Sequence, residues 1–230
     1  DLNRFNEPYF EHLQNWVSYA QEKGIIVLFE LFDSWGLTNS RYARFHPFYQ
    51  LVKSDLDAFT DSKNSALVNL QKRYIQRVLE ALRPNLNVIL GVMNAFNGDK
   101  QWHYAMSSYL KRVTPEYLIS GSNQNSPAVD DPNADIGFVH TGRYDFDAGE
   151  SHIGEDIRDL QCTGGDWKML GFSTAGFGSK GRTRENPTAM RRLARDALNA
   201  GVMLLGFLDH NAYTSEGVGD LGKANVNTYR

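Results

Sequence analysis

Side chains able to move protons or attack an electrophile fall in this chain at the ends of short apolar runs. Glu30 and Asp33 close the run at residues 25–33, and Asp99 follows the run at 88–93. Asp145 and Asp147 follow residues 136–140, and Asp209 follows 202–207. Beside them stand Asn94, His140 and Tyr144, which can orient a hydroxyl or a carboxylate. The indoles of Trp35 and Trp102 lie just past run ends, where stacking on a ligand ring and plain packing are both open. Carboxylates in differing environments suit acid–base or nucleophilic chemistry, because those environments separate their pKa values. Glu30 lies within an apolar run and therefore needs a partner or a raised pKa; a functional acid and an internal salt bridge are both open. His140 is open between orienting a catalytic group and packing as a core histidine. Asp209 and His210, if on one strand, point to opposite faces and do not form a dyad.

Other chemistries find less support. The six histidines show no HExxH-like spacing, and the single Cys162 cannot build a thiolate site or an internal disulfide, so no metal and no cofactor is expected. No GxGxxG follows a strand and no Walker-type loop occurs, which disfavours a nucleotide-binding doubly wound fold. A formal charge of -3 and a pI near 6.1 give no electrostatic case for nucleic acid or an anionic membrane surface. No apolar run approaches the ~20 residues that span a bilayer. The arginines at 191, 192 and 195 read as the solvated face of a helix. The chain begins at Asp1 with no signal-like segment and reads as a processed or partial product, which leaves localisation open and secretion possible.

The elements that must hold these groups alternate. Residues 7–23 read as a helix, with Pro8 at its start, Phe10, Leu13, Trp16, Val17 and Ala20 on one stripe, and Gly24 as the stop. A buried strand follows at 25–33, then an aromatic-rich loop at 34–63, long enough to be a functional rim. A helix at 64–82 carries Leu67, Leu70, Tyr74, Val78 and Leu82 on its inner face. Strands at 88–93, 117–121, 136–140, 168–173 and 202–207 follow, with helices expected at 100–113, 155–161 and 186–200. Six strands alternating with helices imply right-handed βαβ crossovers and a parallel sheet. Polar residues crowded at strand carboxyl ends are what a β/α barrel places around its mouth.

With these segments in order, the chain resembles the clan A glycoside hydrolases, the cellulase-like TIM-type (β/α)8 barrels. Residues 9–32 resemble the second helix and third strand of such a barrel. Residues 88–95 resemble strand four, where the family carries Asn-Glu and this chain reads Asn94-Ala95. Residues 140–144 resemble strand six, with His140 or Tyr144 reaching the site. Residues 169–178, Met-Leu-Gly-Phe-Ser-Thr-Ala-Gly-Phe-Gly, resemble strand seven, where the nucleophile precedes a Gly-rich turn. Residues 202–210 resemble strand eight. The resemblance implies one barrel domain over residues 1–230, hydrolysis of a β-linked oligo- or polysaccharide, and no cofactor. It places Asn94 on the sugar hydroxyl beside the reacting carbon and Asp33, Trp35, Trp102, Tyr144 and Asp209 on the substrate.

The chain departs from that pattern in two ways. Strands one and two are missing, which would leave the edges at 25–33 and 202–207 open; the expectation is either that another copy of the chain covers them, making a homo-oligomer, or that the chain is a fragment of a longer gene. The acid/base position is Ala95 and the nucleophile position is Ala175, where a retaining enzyme needs two carboxyl groups ~5–5.5 Å apart. A methyl group neither donates a proton nor attacks an anomeric carbon. Three explanations stay open: an introduced double substitution, a natural loss leaving a carbohydrate-binding pseudoenzyme, or carboxylates supplied nearby by Glu30, Asp33, Asp99, Asp145, Asp147 or Asp209.

Overall fold

A computed structural model describes residues 4–123, 126–141, 144–145, 150–151, 170–174, 195–196, 198–199, 201–202 and 204–207. Its compact units are Asp1–Ile136 and Gly137–Arg230. The architecture is mixed α/β with parallel strand pairing.

The first unit opens with helix α1 (Glu7–Glu22), whose Pro8 sits in the first turn, where a missing N–H has no intrahelical partner to lose. It ends at Lys23 and Gly24, the latter at φ 70, a conformation glycine adopts without Cβ strain. Phe10, Leu13, Val17 and Ala20 are its buried face. Trp16, expected on that stripe, is instead 55% exposed. At 100° per residue it lies roughly 80° from the centre of the stripe, enough to swing a large ring into solvent.

Strand β1 (Val27–Asp33) follows, and the expected long loop proves to be built of short helices. These are α2 (Ser34–Thr38), a 3-10 turn (Ala43–Phe45), α3 (Tyr49–Val52) and α4 (Leu56–Phe59). Asp33 caps α2 and Asp55 caps α4, their carboxylates accepting backbone N–H groups that the helix start leaves unpaired. Single turns carry no amphipathic period, so the sequence pattern does not register them.

Helix α5 (Ser65–Leu82), capped by Asn64, leads to β2 (Val88–Asn94); α6 (Lys100–Val113), capped by Asp99, leads to β3 (Leu118–Asn123). β1 pairs in parallel with β2 from Val27↔Val88 to Asp33↔Asn94, and β2 with β3 from Ile89↔Leu118 to Gly91↔Ser120. Phe32 packs its ring at a tilt 5.5 Å from Tyr74 of α5 and 5.8 Å from Trp102 of α6. Strand alternation therefore puts Glu30 and Phe32 on the helix-covered face and Asp33 on the other. Phe59 and Phe96 complete this aromatic centre. Each such ring buries roughly 150–250 Å², a gross gain of about 4–6 kcal/mol at ~25 cal/mol per Å².

Polar ties fix the ends. Asn87 donates through Nδ2 to Ile25 O at 2.8 Å, aligning the entries of β1 and β2. The Tyr117 hydroxyl meets the carbonyls of Leu82 and Asn85, both at 2.8 Å, and closes the end of α5. After β3, buried His103 of α6 meets Asp131 at 2.8 Å. Burial pushes the Asp131 carboxyl up, but hydrogen bonds from His103, Ser107 and the Asn133 backbone hold it below its ordinary value.

In the second unit β4 (Ile136–Thr141) pairs in parallel with β7 (Leu170–Thr174), from Gly137↔Leu170 to Thr141↔Thr174. β7 pairs in parallel with β8 (Leu204–Phe207), from Gly171↔Leu204 to Thr174↔Phe207. A short antiparallel pair, β5 (Tyr144–Asp145) with β6 (Glu150–Ser151), was not expected from the sequence. Arg195, Asp196, Leu198 and Asn199 are helical, within the helix expected at 186–200. The helix expected at 155–161 lies outside the described residues. Among the described residues no helix is long and apolar enough to cross a membrane.

Candidate functional site

The carboxyl ends of β1 and β2 lie level, and their last residues meet. Asn94 donates through Nδ2 to Asp33 Oδ1 at 3.1 Å. Asp33 also accepts from Trp35 N at 3.2 Å and Gly36 N at 3.0 Å. A Cβ at position 36 would come within 2.7 Å of Asp33 Oδ2, so the cap requires glycine there. Asp33 is thus anchored by three donors: it positions Asn94 and starts α2, a structural commitment that a mobile nucleophile would lack.

Ala95 follows at φ 50, in the left-handed region, with its side chain exposed. Ser34 donates to its carbonyl at 2.6 Å and fixes the turn. Among the described residues only Lys53 shares a positive φ without being glycine. Holding a Cβ in that region costs about 1–2 kcal/mol. Trp35, 51% exposed, stands beside this turn at the start of α2, its ring 5.3 Å from Tyr42. The strand mouth of the first unit therefore presents an oriented amide, an anchored carboxylate, a strained alanine and an accessible indole.

Trp102 does not join them. It is fully buried, its Nε1 donating to Gln71 Oε1 at 2.9 Å, and Gln71 in turn donates to Phe59 O at 2.8 Å. Its position just past β2 suggested a stacking platform; its place on the inner face of α6 makes it core. Asp99, a possible alternative carboxylate, caps α6 through Gln101 N at 2.9 Å. Glu30, another alternative, takes no part in the contacts among Asp33, Asn94 and Ser34, but it and Asp33 line one cavity beside β1.

In the second unit the register sets His140 beside Ser173 and Thr141 beside Thr174. The backbone at Tyr144 and Asp145 belongs to β5. Ala175, Asp147 and Asp209 lie outside the described residues. Among the described residues no group of three or more His, Cys, Asp or Glu could hold a metal ion.

A second feature escaped the sequence pattern, a cavity of about 600 Å³ beside β1. Glu30, Asp33 and His46 line it together with Phe10, Phe48 and Tyr74. Burial first, then the nearby Asp33 charge, pushes the Glu30 carboxyl up to about 7. Burial also pulls His46 below its ordinary value, against the opposing charge of Asp33. His46 Nδ1 accepts from Phe48 N at 3.3 Å, which leaves the ring proton on Nε2 when the ring is neutral. Two sequence signals mark the place in hindsight: an acid inside an apolar strand, and Gly91 opposite it in the next strand.

No protein-family model matches the chain, and no curated protein or solved structure does so either.

Proposed function

We propose that this chain is a glycoside hydrolase-like protein of the TIM-type (β/α)8 architecture that handles β-linked oligo- or polysaccharide. On this reading Asn94 and His140 take catalytic roles, and Ala95 and Ala175 stand at the acid/base and nucleophile positions of the resemblance. The observation that carries the reading is the end of β2. There Asn94 is oriented by Asp33, and the next residue is held exposed in a strained turn. Strain of this kind persists where surrounding structure over-determines it, and it concentrates at functional sites. Trp35 supplies an exposed ring for stacking beside the turn. With methyl groups at both chemical positions, the chain binds its sugar and hydrolyses it very slowly, since losing one member of a catalytic set costs orders of magnitude in rate.

Two measurements on aryl β-glycosides test this. A double variant, Ala95→Glu with Ala175→Glu, should gain hydrolysis that the native chain lacks. Formate or azide added to the native chain should also raise aryl release. The small anion would attack the anomeric carbon from the side where the carboxylate is missing, and the aryl oxide would leave from the other. Oligosaccharide binding without activity in either experiment points to a carbohydrate-binding pseudoenzyme. Absence of both binding and activity overturns the reading.

A further inference from the structure

The cavity beside β1 is bordered by Asp33, the residue that orients Asn94 at the strand mouth, and by Glu30, to which the carbohydrate reading gives no role. Phe10 of α1, Phe32 of β1, Phe48 and Tyr74 of α5 give it aromatic walls. Glu30 lines it beside them. Gly91 lies opposite Glu30, and a Cβ there would come within 2.7 Å of both carboxylate oxygens. The carboxylate therefore rests directly on the backbone of the neighbouring strand. Glu30 is half-buried, and among the described residues it has neither a hydrogen-bond donor nor a paired cation. An uncompensated acid with aromatic walls and room for a small molecule lacks only a cation.

The geometry points to a binding site for a small organic ammonium ion in this cavity, with Glu30 as its counter-ion and the rings of Phe10, Phe32, Phe48 and Tyr74 around its charge and hydrocarbon body. Aromatic faces attract ammonium groups through their quadrupole, and more strongly where water is excluded. A cavity of this size falls in the range of small-molecule sites. The charged and titratable groups facing Glu30 are Asp33 from the end of β1, His46 from the connection after α2, Tyr74 from α5, and Arg4 and Tyr9 from the amino-terminal side. Asp33 adds to the negative field. His46 is held toward its neutral form. Arg4 also lines the cavity but is exposed and screened by water, so its charge only weakly opposes those of Glu30 and Asp33.

Calorimetric titration with 2-phenylethylamine and its neutral near-isostere 2-phenylethanol tests the site. The amine should bind the native chain at least about tenfold more tightly than the alcohol, and Glu30→Gln should remove that preference. Titrations in buffers of differing ionisation enthalpy supply a test that needs no variant. Binding should release close to one proton per amine at about pH 6 and none at about pH 9, because the bound cation holds Glu30 ionised. Equal binding of amine and alcohol overturns the inference, as does an unchanged preference in Glu30→Gln, absence of proton release, or failure of the amine to bind at all.

Discussion

Ala95 carries a methyl group on a backbone turn that glycine would adopt freely. Ala95→Gly should therefore stabilise the fold by about 0.5–1 kcal/mol, since the relief of strain exceeds the added freedom of the unfolded chain. A midpoint shift in urea unfolding measures it; a loss of stability would mean that the turn is not strained. Glu30 gives a prediction in pH. Its carboxyl titrates near 4.5 when exposed and at about 7 in the fold, so between those values the folded state keeps a proton that the unfolded chain has released. Stability then falls as pH rises from 4.5 to about 7 and levels off above. The loss is on the order of 3 kcal/mol. His46, lowered by burial, acts in the opposite sense and weakens the fold as pH drops below its ordinary range. The comparison is therefore native against Glu30→Gln: the variant's advantage should grow from about pH 5 to about pH 8, and a constant difference would reject the assignment. Gly91→Ala should cost about 1–3 kcal/mol by driving a methyl group into that carboxylate. Glu30→Ala in the same chain should recover part of the loss, as a double-mutant cycle would show.

At the scale of elements, the ends of β1 and β2 are joined through one side chain. Asp33→Ala removes the cap of α2 and the partner of Asn94 together, and should cost about 1–2 kcal/mol. The exposed Trp35 on the first turn of α2 makes the local change visible by fluorescence. The two tryptophans near strand ends should separate cleanly. Trp102→Phe leaves the buried Gln71 oxygen unpaired and a void in the aromatic centre, so unfolding should become easier by about 1–3 kcal/mol. Trp35→Ala should change stability by less than about 0.5 kcal/mol, while weakening oligosaccharide binding. Affinity unaffected by Trp35→Ala would remove that indole from the proposed sugar site.

For the whole molecule, apolar surface and an exposed edge point to self-association. Among the described residues β1 has a strand partner on one side only. Trp16 and Tyr19 of α1, Ile25 and Ile26 before β1, and Leu86 before β2 are all exposed. Surface of this kind is normally covered. Sedimentation should give a mass above that of one chain, and Trp16→Lys should lower it toward the monomer. A native chain that stays monomeric at all concentrations would reject coverage by a second copy.

The sequence by itself determined the order of the longer helices of the first unit and of the parallel strands, because helix stripes such as Phe10, Leu13, Val17 and Ala20 and the unbroken apolar run of β2 are local patterns repeated over many residues. It also located Asn94–Ala95 at a strand end and marked Glu30 as an acid in apolar company. Tertiary structure decided what no local pattern holds. A stripe shows which residues turn inward, but Trp16 and Trp102 changed places between core and surface because the width of the covered face depends on the neighbouring elements. The single-turn helices at 34–59 are too short for a period and exist through their aspartate caps and packing. Whether Glu30 had a partner could be answered only by the side chains brought around it from α1, α5 and the connection after α2. They wall a cavity beside the carboxylate without forming a hydrogen bond or an ion pair with it.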